Sequence, residues 1–260
     1  MQPMTQSLVI PADVNGPPDS ANGGYVCGLM ARLLEDPTTV QATLRQPPPL
    51  GRALQGAVDG DRATLHDGDT LIAEAVVVDA DADTDGTPAP IPLDDARAVA
   101  DGFDDKRYFS DHPFPTCFTC GPERTGAGTD GLRLFPGAVA PHVVVWPWAP
   151  DSALAGSDGL VDALYVWAAL DCPSGLCWWH DDPAAAPHVL GRMTATIHRL
   201  PAPGEPLVVA GWSIATDGRK RRTGSVLWDA DGQVVADNRS TWIALDARTA
   251  ATFRPTNPPT

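Results

Sequence analysis

The sequence predicts an α+β fold made of two similar units, each a long central helix wrapped by a curled antiparallel sheet. Residues 160–170 are apolar on nearly every helical face, so a helix there must be covered on all sides. Four runs follow that are rich in β-branched and aromatic residues and are separated by Pro, Gly and Asp. These runs, 189–200, 206–218, 224–232 and 233–245, are typical of an antiparallel meander.

The same arrangement occurs earlier in the chain. A strand candidate at 7–10 precedes an amphipathic helix at 22–35, and strand-like runs follow at 40–46, 53–60, 62–68 and 70–78. The segment ATLRQPPPLGRAL from Ala42 aligns with ATIHRLPAPGEPL from Ala195 without a gap. DGDTLIAEA from Asp67 aligns with DGQVVADN from Asp231 with a gap of one residue. An internal repeat of this kind predicts two fused hotdog units, that is, a double hotdog.

The segment between the two repeats predicts the domain boundaries. Residues 79–111 are acidic, contain prolines and hold few large apolar side chains, which indicates a linker with a disordered first part. We therefore expect a first hotdog unit at 1–80 and an acidic linker with a CxxC loop at 81–125. A second hotdog unit should occupy 126–250, and a tail 251–260.

Composition excludes several classes of function. The net charge of -15 argues against general nucleic-acid binding, which needs a cationic surface. No apolar run approaches the roughly 20 residues of a membrane span, and residues 1–20 do not resemble a secretory signal. Five cysteines without such a signal favour reduced thiols, so we expect a cytoplasmic protein.

Asp171 is the first candidate site residue. It lies near the end of the apolar helix, directly before Cys172 and Pro173. A carboxylate on a buried helix costs several kcal/mol unless something pairs with it, which makes such a group a candidate for catalysis. The alternative is that Asp171 caps the turn that Pro173 opens, since the proline should stop or redirect the helix.

The segment Asn22-Gly23-Gly24 is the second candidate. Asn22 is a good helix N-cap, and two glycines behind it leave backbone N–H groups bare at the positive end of the helix dipole. Such a helix start can hold an anion or a developing oxyanion. The alternative is that the glycines only let the helix pass close to a sheet.

Two further clusters have open interpretations. Four consecutive cationic residues, Arg219, Lys220, Arg221 and Arg222, predict an anchor for the phosphates of a ligand such as coenzyme A, or else a solvated strand end. Cys117 and Cys120 have the CxxC spacing of zinc and redox sites. No second such pair follows, and His112, Cys172 or Cys177 could complete a set of ligands only if the fold happened to bring one of them close. A tight turn with two buried thiols is the simpler interpretation, and we expect no metal and no cofactor.

Three segments, PTCFTCGPERTGAGTDGLRLFPG, WAALDCPSG and NGGYVCG, resemble the thioesterase-like hotdog superfamily in its double-hotdog form. The resemblance implies hydrolysis of an acyl-CoA thioester with a fatty or aromatic acyl group. It also leaves open a non-catalytic acyl-CoA binding protein or sensor and, third, an enoyl-CoA hydratase or dehydratase. A homo-oligomer is a further expectation, because hotdog sheets often pair edge to edge.

The resemblance also implies where the site lies. In the phenylacetate-pathway type, a His-Gly-Gly opens the helix and an acid follows two turns later, the two parts coming from different subunits. Here the first unit keeps Gly23 and Gly24 but has Ala31 in place of the acid, whereas the second unit keeps the acid as Asp171. One composite site follows, with the thioester carbonyl on the N–H of Gly24 and Asp171 as general base or nucleophile.

Bacterial type II acyl-CoA thioesterases are similar in the second half and place an Asp where Asp171 stands. Their Ser or Thr aligns with Leu190, and their Gln aligns with Ser240. The substitutes we consider for positioning water are Thr194, Thr196 and Asn238.

Overall fold

The computed structural model describes residues 4–80, 86–126, 128–179, 182 and 186–252. Its first half contains β1 (Met4–Val9), α1 (Gly23–Leu33), β2 (Thr39–Leu44), β3 (Ala53–Asp59), β4 (Arg62–Asp67) and β5 (Thr70–Val77). Two helices follow, α2 (Leu93–Asp101) and α3 (Lys106–Asp111). The second half contains β6 (Gly137–Ala140), β7 (Val143–Trp148), α4 (Ala163–Leu176), β8 (His188–Ile197), β9 (Leu207–Asp217), β10 (Lys220–Asp229), β11 (Val234–Ala244) and α5 (Ala247–Thr252).

Within the described residues, eleven strands form one antiparallel sheet. Their order is β1-β3-β4-β5-β2-β8-β11-β10-β9-β7-β6, and α1 and α4 pack against each other and against the sheet. The two units meet where β2 pairs with β8, with Val40 opposite Ala195. This is the double hotdog arrangement, so the predicted α+β fold class is confirmed.

The sequence repeat is also a repeat of backbone conformation. Gly51 and Gly204, which the sequence alignment places together, have φ angles of +66° and +75°. Such positive angles favour glycine because it has no Cβ. Leu54 and Leu207, aligned three residues later, are both fully buried. The aligned positions therefore have the same structural role in each unit, a glycine with positive φ followed by a buried leucine.

The expected four-stranded meander is wrong at its first strand. Strands β9, β10 and β11 pair in sequence order, but β8 pairs with β11 and not with β9. The connection at 198–206 carries the chain past two strand positions, so β8 keeps one edge for β2. In the first unit β2 likewise pairs with β5. Strands β2 and β8 therefore each have a free edge, and the hydrogen bonds between these two edges join the units.

Part of the predicted linker is helical. Leu93, Ala96 and Val99 recur at helical spacing on α2 and pack with the cluster that contains Val145 and Trp212 on the sheet of the second unit. The expected disordered part falls largely on residues 81–85, which lie outside the described residues. The domain boundaries themselves stay a prediction.

Helix α4 continues through Pro173 to Leu176, so the expectation that Pro173 stops or redirects it is wrong. Proline removes an N–H and should leave carbonyls of the preceding turn without a partner. Here the Leu170 carbonyl accepts hydrogen bonds from Ser225 Oγ at 2.6 Å and Asn238 Nδ2 at 3.0 Å. Strand side chains thus bind a carbonyl of the helix in the turn before Pro173, next to the Ala169 carbonyl that the proline leaves without its usual donor. Among the described helices, none is long and apolar enough to cross a bilayer.

Candidate active site

The site begins where α1 and α4 pack side by side. A Cβ atom on Gly24 would lie 2.5 Å from the Trp167 carbonyl oxygen and 2.6 Å from the Asp171 Cβ. On Gly28 it would lie 3.0 Å from the Trp167 side chain. Gly24 and Gly28 therefore permit a close approach between two helices. A Cβ on Gly23 would instead lie 2.9 Å from the Leu190 side chain of β8, so the expected close approach to the sheet holds for Gly23.

This approach brings the Asp171 carboxylate to the N-terminus of α1. The Gly24 N–H donates a hydrogen bond to Asp171 Oδ2 at 2.9 Å. Asp171 is 2 % exposed, and its Oδ1 is buried without a hydrogen-bond partner. Asp171 therefore binds the other helix instead of capping its own turn. The structure brings Gly24 of the first unit and Asp171 of the second together, but the Gly24 N–H is bonded to Asp171 and, contrary to the expectation, is not free for the thioester carbonyl. The catalytic roles of these residues stay a prediction.

The surroundings of Asp171 favour its protonated form. Burial raises the pKa of its carboxyl to about 7, against the hydrogen bond from Gly24, which lowers it. The neighbouring Cys117 raises the pKa further, and Asn22 lowers it. A carboxyl group with such a pKa exists in both protonation states near neutral pH, so it can take up or release a proton.

Asn22 links the start of α1 to the CxxC loop. Its Oδ1 accepts a hydrogen bond from the Tyr25 N–H at 2.9 Å, which confirms its predicted role as N-cap. Its Nδ2 donates to Thr119 Oγ1 at 3.3 Å and lies 3.9 Å from Cys117 Sγ. The described residues place no acceptor on the Gly23 N–H. That N–H is the donor left at the positive end of the helix.

A cavity of about 860 Å³ includes Asn22, Gly23 and Asp171 in its wall. Most of the remaining wall is apolar and comes from both units. Its larger apolar side chains include Leu44, Phe114, Leu176, Trp178, Leu190 and Trp242. A polar cluster at one wall of an otherwise apolar cavity is typical of a small-molecule site.

The four consecutive cations do not act as one group. Arg219 lines the cavity, and its Nε donates to the Ala244 carbonyl at 3.0 Å. The Arg221 guanidinium lies 4.9 Å from the centre of the Trp178 ring and behind the cavity wall. Lys220 and Arg222 are exposed and do not line the cavity. Their role as a phosphate anchor stays a prediction, for which Arg219 is the best placed.

The sequence analysis did not identify two further arginines that line the cavity, Arg45 and Arg107. Arg45 lines the cavity beside its ion-pair partner Glu74. Arg107, on α3, places its guanidinium 3.9 Å from the centre of the Trp179 ring. Arg45 has no cationic neighbour in the sequence, and Arg107 has only Lys106 beside it, so their spatial position is what identifies them.

The CxxC loop is part of the site. Its Cys117 and Cys120 meet Cys172 of α4, and all three sulfur atoms lie within 4.8 Å of one another. The three residues line the cavity next to Asp171. The sequence analysis treated this loop as a simple turn and considered Cys172 only as a residue that the fold could bring near it by chance. Three sulfurs are one ligand short of a tetrahedral zinc site. The expected absence of a metal stays a prediction.

The polar residues considered for positioning water do not line the cavity and have other hydrogen-bonding roles. Leu190 lines the cavity, as an apolar side chain. Among the described cavity residues there is no Thr194, Thr196, Asn238 or Ser240. Ser240 Oγ donates to Asn238 Oδ1 at 2.9 Å, and Thr196 Oγ1 lies 3.1 Å from Thr39 Oγ1. These polar groups support α4 and the contact between β2 and β8.

Comparisons with known proteins define the fold. A scan against protein-family models and a search of curated proteins found no match. Among solved structures, the TesB protein of Mycobacterium avium subspecies paratuberculosis is 12 % identical with a TM-score of 0.61, over 93 % of each chain. A putative thioesterase of Novosphingobium aromaticivorans is 13 % identical with a TM-score of 0.60, over 93 % of this chain and 96 % of its own.

A third structure is similar over the same extent. The acyl-CoA thioesterase II TesB2 of Mycobacterium marinum is 12 % identical with a TM-score of 0.57, over 93 % of each chain. At such identities the likeness establishes a shared fold. The predicted resemblance to double-hotdog thioesterases is thus confirmed at the level of fold.

Proposed function

We propose that this chain hydrolyses acyl-CoA thioesters with a fatty or aromatic acyl group, at one composite site between its two hotdog units. The observation that carries the proposal is the hydrogen bonding and burial of the two carboxylate oxygens of Asp171. One oxygen of this buried carboxylate is fixed by the Gly24 N–H, the other has no hydrogen-bond partner, and Asp171 is one of the residues that line the cavity. A base for water needs this combination of a fixed orientation and a free oxygen.

The neighbouring backbone supplies the second requirement of acyl transfer. Negative charge develops on the carbonyl oxygen of the thioester and must be stabilised by donors. The Gly24 N–H already holds Asp171, so we assign this role to the N–H of Gly23, a residue that lines the cavity at the positive end of α1. Gly24 then positions the base, and Gly23 contacts the substrate.

The cavity suits the two parts of an acyl-CoA. Its apolar wall suits a fatty or aromatic acyl group. Three arginines, Arg45, Arg107 and Arg219, line it in a protein of net charge -15, and guanidinium groups suit phosphate oxygens. The printed descriptions of the structural neighbours as thioesterases support the same substrate class.

The test is release of free coenzyme A from acetyl-, octanoyl- and benzoyl-CoA by the wild type and Asp171→Asn. Asparagine keeps the shape of the side chain but cannot take up the proton. We expect steady-state turnover, kcat, to fall by about a hundredfold or more. In the wild type, kcat/KM should rise with pH through about 7 and then level off, because burial raises the pKa of Asp171 to about 7.

The matched control is Asp162→Asn, which changes an Asp at the other end of the same helix. Asp162 caps α4 through the Leu164 N–H, and Asn is as good a cap, so the helix and the activity should persist. Full turnover by Asp171→Asn would contradict the proposal. Binding of the acyl-CoAs without any turnover by the wild type would instead identify a non-catalytic acyl-CoA binding protein.

A further inference from the structure

The function proposed above assigns no role to Cys117, whose side chain carries a nucleophilic thiol in the cavity wall. The loop that carries it is tight, because the Gly121 N–H donates to the Cys117 carbonyl at 2.8 Å. A Cβ on Gly121 would lie 2.5 Å from the backbone of Cys117. This turn fixes Cys117 in the cavity wall, where its side chain is otherwise buried.

The surroundings of Cys117 stabilise a thiolate. Hydrogen bonds from the thiols of Cys120 and Cys172 lower its pKa well below the ordinary value, and His112 acts in the same direction. The Cys172 sulfur lies 3.6 Å away, and Asn22 Nδ2 lies 3.9 Å away. A thiolate, unlike a thiol, attacks acyl groups readily.

The groups needed around an attacked acyl carbon are also present. Asp171 Oδ1 is buried and unpartnered in the same wall, and the Gly23 N–H lies at the start of the helix that Asn22 caps. Resting on the proposed thioesterase function and deepening it, we propose that Cys117 is the nucleophile of this site. It takes the acyl group from coenzyme A, and water activated by Asp171 then hydrolyses the acyl-Cys117 thioester.

The two steps balance without an oxidant or a reductant. In the first, the Cys117 sulfur bonds to the carbonyl carbon, the bond to the coenzyme A sulfur breaks, and the departing thiolate takes a proton from solvent. In the second, Asp171 takes a proton from water as the water oxygen bonds to the acyl carbon. The bond to Cys117 breaks, the thiolate is restored, and the acid leaves. Asp171 then releases its proton to solvent, which balances the proton that the coenzyme A thiolate took up in the first step.

Charge links the two steps. The negative sulfur of Cys117 raises the pKa of Asp171. Acylation turns that sulfur into a neutral thioester, so the pKa of Asp171 falls when its carboxylate is needed as a base. The nucleophile and the base therefore need not be charged at the same time, which removes the repulsion between two adjacent buried anions.

The experiment uses the full chain with Asp171→Asn, in which the second step is blocked. After incubation with octanoyl-CoA, the intact mass should increase by one octanoyl group per chain. Peptide mapping should place the group on Cys117, and hydroxylamine should remove it. The adduct should be absent from Asp171→Asn combined with Cys117→Ser. It should persist with Cys177→Ser, because Cys177 is buried outside the cavity.

The wild type supplies a second measurement. Cys117→Ala should lower turnover of octanoyl-CoA by about a hundredfold or more. Wild-type turnover with an unlabelled Asp171→Asn chain and an active Cys117→Ala variant would overturn this inference alone and leave direct attack of water. Acylation of Cys120 or Cys172 would also overturn it, as would a stoichiometric metal ion on the three sulfurs. A wild type without turnover would remove the proposed function as well.

Discussion

At the residue scale, the buried carboxyl of Asp171 makes the stability of the fold depend on pH. Its pKa is about 7 in the folded chain and near 4 in the unfolded chain. Between these values the folded state holds a proton that the unfolded state has released. The free energy of unfolding therefore falls by roughly 1.4 kcal/mol for each pH unit, and the loss is complete above pH 7.

Replacing Asp171 by Asn should remove this dependence. Relative to the wild type, the variant should gain about 2 kcal/mol in the free energy of unfolding between pH 5.5 and pH 8, measured by urea denaturation. Ser174→Ala, one turn away on α4, removes no titratable group, so its difference from the wild type should stay constant. A constant difference for Asp171→Asn would contradict the raised pKa.

At the element scale, the contact between α1 and α4 depends on two glycines with different neighbours. A methyl group on Gly24 would meet the backbone oxygen of Trp167 at 2.5 Å, and the backbone has no room to yield without moving a helix. A methyl group on Gly28 would meet the side chain of Trp167 at 3.0 Å. That side chain can shift by a few tenths of an ångström.

Gly24→Ala and Gly28→Ala should therefore differ in stability. We expect Gly24→Ala to lower the free energy of unfolding by about 2 kcal/mol through overpacking. In Gly28→Ala, the higher helix propensity of Ala, worth about 1 kcal/mol, should offset most of the strain. Urea denaturation of the two variants compares them directly. Equal losses would show that the close approach at Gly24 is not what limits the packing.

Helices and strands could be predicted from the sequence where the pattern that defines them lies within a few neighbouring residues. The Asn22 cap and the alternating strand patterns depend on neighbouring residues, and the structure has these elements close to their expected bounds. Pro173 was misjudged because the helix around it is held by tertiary contacts, such as those of Ser225 and Asn238 with the Leu170 carbonyl, which lie more than fifty positions along the chain. The meander was misjudged for the same reason, since only tertiary pairing decides which strand β8 adjoins.

The candidate site shows the same division. The resemblance to hotdog thioesterases implied that Gly24 lies opposite Asp171, because one unit lacked what the other retained. Nothing in the sequence places Cys117 against Cys172, 55 positions away, because loop conformation and helix rotation decide that contact. The CxxC loop therefore became recognisable as part of the site only in three dimensions.

At the scale of the whole molecule, the two units are joined across β2 and β8. Thr39 and Thr196 face each other there, both buried, with their hydroxyl oxygens 3.1 Å apart. Each hydroxyl satisfies the other. A single replacement by Val, which has nearly the same shape, would leave one hydroxyl buried without a partner.

Thr39→Val and Thr196→Val should each lower the free energy of unfolding by about 1 to 3 kcal/mol. The double variant should recover most of that loss, because two apolar groups of the same shape replace the pair. Thermal or urea unfolding of all four proteins gives the coupling energy. Additive losses in the double variant would mean that the two hydroxyls do not stabilise the junction as a pair.

The pairing of β2 with β8 also determines how assembly of the site depends on the concentration of the protein. A site shared between separate subunits disappears when the protein is diluted below the dissociation constant of the dimer. Here both halves of the site belong to one polypeptide, so their effective concentration is set by the chain and not by the number of copies present. The site would stay assembled in a cell that makes only a few molecules of the protein.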